Sequence, residues 1–222
     1  MALNVYGRQL SPAEIEEKEH RNLVGGLWEE LGILQFNFLR DHGLQPHHRL
    51  VDLGCGALRG GLHFIRYLDP GHYYGIDINA SLIEAGRREL DQENLGCKSP
   101  HLLVNDRFEL ASFATTFDCA IAVSVFTHLP MNHIVRCLVE VRKALRPEAR
   151  FFASCFEAPA NACLEPLQHS PGGIVTSYDV DPYHYSFAEF EWLAAIAHMK
   201  VERIGAWGHP RDQRMLSFSR DR

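Results

Sequence analysis

From residue 49 onward, short apolar runs alternate with helical stretches, and the first run leads straight into a glycine-rich loop. No other feature constrains the fold as tightly. The runs are Arg49 to Leu53, Tyr73 to Ile78, His101 to Val104, Phe117 to Val123 and Arg150 to Phe156. Between them, Leu58 to Leu68, Ser81 to Asn94 and Met131 to Leu145 have helical spacing. Strand and helix in alternation imply a mainly parallel sheet covered by helices on both faces. Two later runs, Lys200 to Ala206 and Met215 to Ser219, are joined by a short turn rich in Gly, Pro and Asp. A turn that short joins only antiparallel neighbours. The expected fold is α/β, with a three-layer seven-stranded sheet that is mainly parallel and has an antiparallel last strand.

N-terminal helices precede this pattern. Ser11-Pro12-Ala13-Glu14 reads as a capping box with proline at the first helical position. Glu14 to Arg21 is charged, as a solvated helix face would be. Leu27, Trp28, Leu31, Leu34, Phe38 and Leu39 recur at helical spacing, and Gly43 reads as a stop. Glu157 to Tyr185 reads as irregular, and Ser186-Phe187-Ala188-Glu189 as a second capping box.

Composition excludes several classes. The net charge is −6 and no Lys/Arg stripe exists, so no nucleic-acid partner is expected. No run of 18 apolar residues is present, so no membrane span is expected. Met1 to Leu10 lacks the basic and apolar regions of a secretory signal. The six cysteines form no CxxC pair, which points to free thiols in a reducing, cytoplasmic setting. The 13 histidines, including His47-His48, show no metal-ligand spacing beside carboxylates, so no metal is expected.

The chemistry lies in Val51-Asp52-Leu53-Gly54-Cys55-Gly56-Ala57-Leu58-Arg59-Gly60-Gly61. Gly54 and Gly56 permit a tight turn and close approach to a ligand. A helix start after such a loop offers N–H groups to an anion. Ligands of open parallel sheets sit outside the carboxyl ends of the strands. Asp77 ends the second strand 21 residues after Gly56, where its carboxylate can accept both ribose hydroxyls. A glycine loop with an acidic residue at this distance suits a dinucleotide or another adenosine cofactor. The spacing is GxGxxxG rather than the dinucleotide GxGxxG.

The Asp-x-Gly-x-Gly stretch resembles the first motif of the class I S-adenosylmethionine (SAM)-dependent methyltransferases. Gly75-Ile76-Asp77-Ile78 resembles their second motif, and Val104-Asn105-Asp106-Arg107-Phe108 their third. Phe117 to Leu129 resembles the fourth, and Ala144-Leu145-Arg146-Pro147 the stretch before the fifth strand, with Glu148 where the family has glycine. The resemblance covers about residues 49 to 156. It implies a Rossmann-like seven-stranded fold, with 1–45 as an N-terminal helical lid segment and 46–222 as the SAM-binding domain. The implied cofactor residues are Asp52, Gly54, Cys55, Gly56, Leu58, Arg59, Asp77, Ile78, Asp106, Arg107, Phe108, Ser124 and Val125. Arg59 is either a clamp on the cofactor's carboxylate or a surface arginine. Gly60 and Gly61 serve either packing or the ligand.

Methyl transfer is an in-line displacement, so the protein must align the nucleophile and exclude water. A hydroxyl acceptor also needs a base. His128 follows the fourth strand, and Asp181-Pro182-Tyr183-His184-Tyr185 lies where this family builds its acceptor pocket. His128, His184 and Tyr183 are therefore the candidate catalytic residues. The implied reaction moves a methyl group from SAM to an O, N or C atom of a small molecule, leaving S-adenosylhomocysteine. A non-catalytic SAM-binding module and an NAD(P)-dependent oxidoreductase are the alternatives. The acceptor and the oligomeric state are left open.

Overall fold

The structure is a computed structural model in which residues 7–221 are described. The expectation about a secretory signal falls partly on residues 1–6, outside the described residues. The chain forms two compact units, Met1–Asp106 and Arg107–Arg222. The N-terminal helices share the first unit with the first three strands, so compactness puts no boundary at residue 45.

The first unit runs α1 (Pro12–Glu16), α2 (Glu19–Leu23), α3 (Trp28–Asp41), β1 (Leu50–Leu53), α4 (Gly61–Tyr67), β2 (Tyr73–Asp77), α5 (Ala80–Gln92) and β3 (His101–Val104). The Ser11 capping box forms, with Glu14 N–H donating to Ser11 Oγ and Ser11 N–H to the Glu14 carboxylate. The charged run is not one helix, because Lys18 takes φ 64 and divides it. α5 is capped by Asn79 rather than Ser81, since Asn79 Oδ1 accepts the N–H groups of Ser81 and Leu82. β1 and β2 pair in parallel from Leu50 opposite Tyr73 to Leu53 opposite Ile76, and β2 pairs with β3 in parallel, ending with Asp77 opposite Val104. β1 and β2 are buried throughout, as their unbroken apolar runs demand.

α4 begins at Gly61, later than its periodicity suggests, because Leu58 sits in the loop at φ 70. A β-carbon on Gly61 would lie 2.6 Å from Tyr73 Oη and 2.8 Å from Leu58 Cδ2. Tyr73 and Leu58 are both buried and have nowhere to move. Gly61→Ala is expected to cost about 1–3 kcal/mol by overpacking, visible as a lower Tm in thermal unfolding. An unchanged Tm would return Gly61 to the list of ligand-contacting glycines.

The second unit runs β4 (Phe117–Ala122), α6 (Met131–Ala144), β5 (Leu145–Ala158), β6 (Leu167–His169), β7 (Ile174–Thr176), β8 (His184–Ser186), α7 (Phe187–Ile196), β9 (Met199–Ala206) and β10 (Arg214–Arg220). β4 and β5 are parallel, with Ala122 opposite Ala153. β10 lies between β5 and β9 and is antiparallel to both. β5 already begins at Leu145, so Arg146-Pro147 belongs to the strand instead of ending the helix before it. The stretch expected to be irregular holds the β6–β7 hairpin and β8, which runs beside the end of β5 from Phe156 opposite His184. α6 buries Ile134, Cys137, Leu138 and Val141 on one stripe.

Phe126 centres the core of this unit, with ring centroids 5.9 Å from Phe151, 6.3 Å from Phe190 and 6.0 Å from Phe218. That anchor fixes the turn carrying Ser124 to His128. No helix is long and apolar enough to cross a membrane, among the described residues.

Candidate functional site

The expected site residues fall in both units. In the first, Gly54 (φ 70) and Gly56 (φ 54) turn the chain after β1, in backbone that only glycine enters without strain. The N–H groups of Gly54 and Cys55 both donate to Ile76 O, at 2.8 and 3.0 Å. Gly56 N–H then donates to Asp77 Oδ2 at 2.9 Å, and Asn79 N–H to Asp77 Oδ1 at 2.8 Å. The glycine loop and the end of β2 are thus bound to one carboxylate. Burial pushes the Asp77 carboxyl up, and the backbone bonds from Asn79, Gly56 and Ile78 oppose that rise. A carboxylate has about four acceptor sites, and these backbone bonds do not fill all of them.

Asp52 lies inside the same unit and accepts Tyr73 Oη–H at 2.8 Å. Burial raises its carboxyl to about 7, against the pull of Tyr73. Cys55 packs beside Gly75, whose β-carbon would come within 2.9 Å of its Sγ, and burial holds its thiol well above the ordinary range. Leu58 is fully buried, whereas Ile78 exposes a broad apolar face. Asn105 N–H donates to Asp77 O at 2.9 Å, which brings the exposed Asp106 to the exit of β2.

Arg59 is tied to the chain before α3. It is 9% exposed, so it is not a surface arginine. Its Nη1 donates to the carbonyls of Val24 and Gly26, at 2.9 Å each. Gly60 answers to packing, since a β-carbon there would meet Gln35 Oε1 at 2.3 Å.

In the second unit, Arg107 is exposed and pairs with Glu109 at 3.3 Å, and Phe108 is half-buried at φ 60. Ser124, at φ 59, donates its N–H to Ser154 Oγ and its hydroxyl to Gln213 Oε1. Val125 O accepts His128 N–H at 2.9 Å, closing the turn.

Three bonds tie this turn to the chain before β8. His128 Nδ1 faces Asp181 Oδ1 at 2.5 Å, Tyr183 N–H donates to Thr127 O at 2.7 Å, and Tyr185 Oη–H donates to Leu129 O at 3.0 Å. A carboxylate on Nδ1–H selects the tautomer with its lone pair on Nε2. Tyr183 and Tyr185 stack at 12°, their centroids 6.0 Å apart.

His184 lies between them and points the other way, as strand alternation requires. It is fully buried, with Nδ1 on Thr176 Oγ1 at 2.7 Å and Nε2 on Cys163 O at 2.7 Å. Thr176 Oγ1 also meets His169 Nε2 at 2.8 Å. These bonds place His184 in a structural relay beneath the β6–β7 hairpin, away from the His128 turn. The structure therefore brings His128 and Tyr183 together and separates His184 from them.

The sequence marks Asp181 only as part of the stretch Asp181 to Tyr185, and Gln213, directly before β10, leaves no trace in the pattern. Among the described residues no group of three or more His, Cys, Asp or Glu side chains is placed to hold a metal.

Residues 51–151 match the family model described as a methyltransferase domain. A stretch of 103 residues is 24% identical to a probable methyltransferase of Aspergillus luteorubrus, covering 44% of this chain and 36% of that protein. The match thus spans about a third of the length of that curated relative.

Over its full length the chain superposes on the CcbJ methyltransferase of Streptomyces caelestis, with TM-score 0.72, 14% identity and 100% of both chains covered. A magnesium protoporphyrin IX methyltransferase from Synechocystis PCC 6803, solved with bound SAM, superposes at TM-score 0.63 and 15% identity over 97% of this chain and 88% of that one. At these identities the likeness is one of fold. The fold is the expected Rossmann-like α/β type, with mostly parallel strands and an antiparallel edge.

Proposed function

We propose that the chain is a SAM-dependent methyltransferase that methylates a hydroxyl of a small molecule. The observation that carries this reading is Asp77, a buried carboxylate fixed by Gly56 N–H and Asn79 N–H where the glycine loop meets the end of β2. The donor set fits an adenosine cofactor with a cationic amino-acid arm. Asp77 would take the ribose hydroxyls, Ile78 would offer an exposed apolar face to the adenine, Asp106 would take its amino group, and Asp52 would attract the ammonium. SAM, when bound, supplies an electrophilic methyl group on sulfur.

The chain's own part in the reaction falls to the His128 turn. Asp181 orients the imidazole, and His128 Nε2 accepts the acceptor's hydroxyl proton as the oxygen is methylated. Tyr183, stacked on Tyr185, gives the acceptor an aromatic wall. This division favours O-methylation over N- or C-methylation, because an oriented base is what a hydroxyl needs. The net charge of −6 suits a small-molecule acceptor better than a nucleic acid. Free cysteines, four of them buried, suit a reducing cytoplasm.

Calorimetric titration with SAM and S-adenosylhomocysteine, with NADH as control, tests the cofactor. Micromolar binding of both sulfur compounds and none of NADH is expected; the reverse pattern would replace the methyltransferase by an oxidoreductase. Asp77→Ala removes the charged acceptor for two hydroxyls, at about 1.5 kcal/mol or more each. Affinity for S-adenosylhomocysteine is expected to fall about 100-fold while unfolding stays cooperative. Unchanged affinity would remove Asp77 from the ribose.

A further inference from the structure

The chain before α3 is fastened at both places where the proposed cofactor residues lie. At the β2 exit, Asn79 Nδ2–H donates to Arg8 O at 2.8 Å, and Leu10 N–H donates to Ser81 Oγ at 2.9 Å. Asn79 is also the residue whose N–H holds Asp77 Oδ1. At the glycine loop, Arg59 Nη1 grips Val24 O and Gly26 O. Val24 Cγ1 there lies only 3.1 Å from where a β-carbon on Gly56 would be.

Between these ends, His20 Nε2 and the Arg21 guanidinium both meet the Glu89 carboxylate on α5, at 2.8 to 2.9 Å. Glu89 is buried, yet these partners hold its carboxyl down to about 2. Arg21 also stacks over Trp28 at 4.6 Å. Leu23, Val24 and Trp28 close the cluster of Leu10, Ile15, Ala57, Leu82 and Ala85. One segment therefore crosses from the Asp77 corner to the Gly56 loop.

We propose that Arg59 is the positioning residue that latches residues 8–26, the strap within the expected N-terminal lid segment, to the glycine loop and so slows release of the cofactor. This rests on the methyltransferase reading, which makes Asp77 and Gly56 cofactor contacts. The latch needs only the donors of Arg59 and the two carbonyls of the Val24–Gly26 bend, where Gly25 (φ 90) and Gly26 (φ 64) turn the chain. Arg59 acts through the strap and holds it shut; it is not the clamp on an anionic end of the cofactor. Nothing in a glycine-loop pattern marks this role, because the partners are main-chain carbonyls more than 30 residues earlier.

Hydrogen–deuterium exchange of the ligand-free protein tests the latch without any cofactor. In Arg59→Met the amides of residues 20–27 are expected to exchange about tenfold faster, since two charge-assisted bonds no longer oppose local opening. Dissociation of S-adenosylhomocysteine, followed by stopped flow, is expected to quicken by about the same factor. Val24→Gly leaves Arg59 in place and removes the side chain facing Gly56, and it should also speed that dissociation.

Weaker S-adenosylhomocysteine binding with unaltered exchange would make Arg59 a direct contact and overturn the latch. Faster exchange with unaltered release in both variants would overturn the strap as a wall of the site. If the wild type does not bind S-adenosylhomocysteine, the methyltransferase reading and the strap's purpose both fail, whereas unaltered exchange in Arg59→Met removes the latch alone.

Discussion

Asp52→Asn is expected to stabilise the ligand-free protein at pH 8 by about 4 kcal/mol and to change it little at pH 4. The cause is the carboxyl raised by burial from 3.8 to about 7. A carboxyl whose folded value lies above its unfolded value favours folding while both states are protonated. That advantage is lost as pH climbs from about 4 through 7, because the unfolded chain ionises first. Each tenfold difference in acidity is worth about 1.4 kcal/mol, which sets the size of the effect.

Asparagine does not titrate and keeps an oxygen for Tyr73 Oη–H, so the variant should lack this slope. Chemical denaturation of both proteins at pH 4, 6 and 8 reads it directly. Parallel pH dependence would mean that Asp52 is solvated and ordinary. On the proposed reading, in which Asp52 would attract the ammonium of SAM, the same variant should bind SAM more weakly.

His128→Ala is expected to lower turnover about 100-fold or more, the usual worth of a positioned base, once an acceptor has been found by screening hydroxylated metabolites. S-adenosylhomocysteine affinity should stay within about twofold, because the base acts on the acceptor's proton. Asp181→Asn should lower kcat by a smaller factor with little change in KM, since it disturbs only the tautomer and orientation of the imidazole. His184→Gln should instead lower stability, because both ring nitrogens of His184 serve buried partners. Full turnover in His128→Ala would reduce that residue to a pocket wall. A kcat loss in His184→Gln at unchanged Tm would restore His184 to catalysis.

The strands around the glycine loop were legible because parallel strands covered on both faces must be apolar throughout, and β1 and β2 are. Gly54, Gly56 and Asp77 were legible for a related reason. Their geometry is local, set by two positive φ angles and one strand length. The antiparallel ending was legible from the short turn before β10. What the pattern left out was that β10 inserts between β5 and β9, a choice made by side chains such as Phe218 packing on Phe126 and Phe151.

Local chemistry alone therefore determined the fold class, the glycine loop and the carboxylate that answers it. Tertiary structure decided what depends on partners far along the chain. It paired His128 with Asp181, 53 residues away. It stacked Tyr183 on Tyr185 and buried His184, which lies between them in sequence. It also gave Arg59 the carbonyls of a distant bend. A hydrogen bond between distant residues leaves no period in a sequence, whereas a buried strand and a glycine turn do.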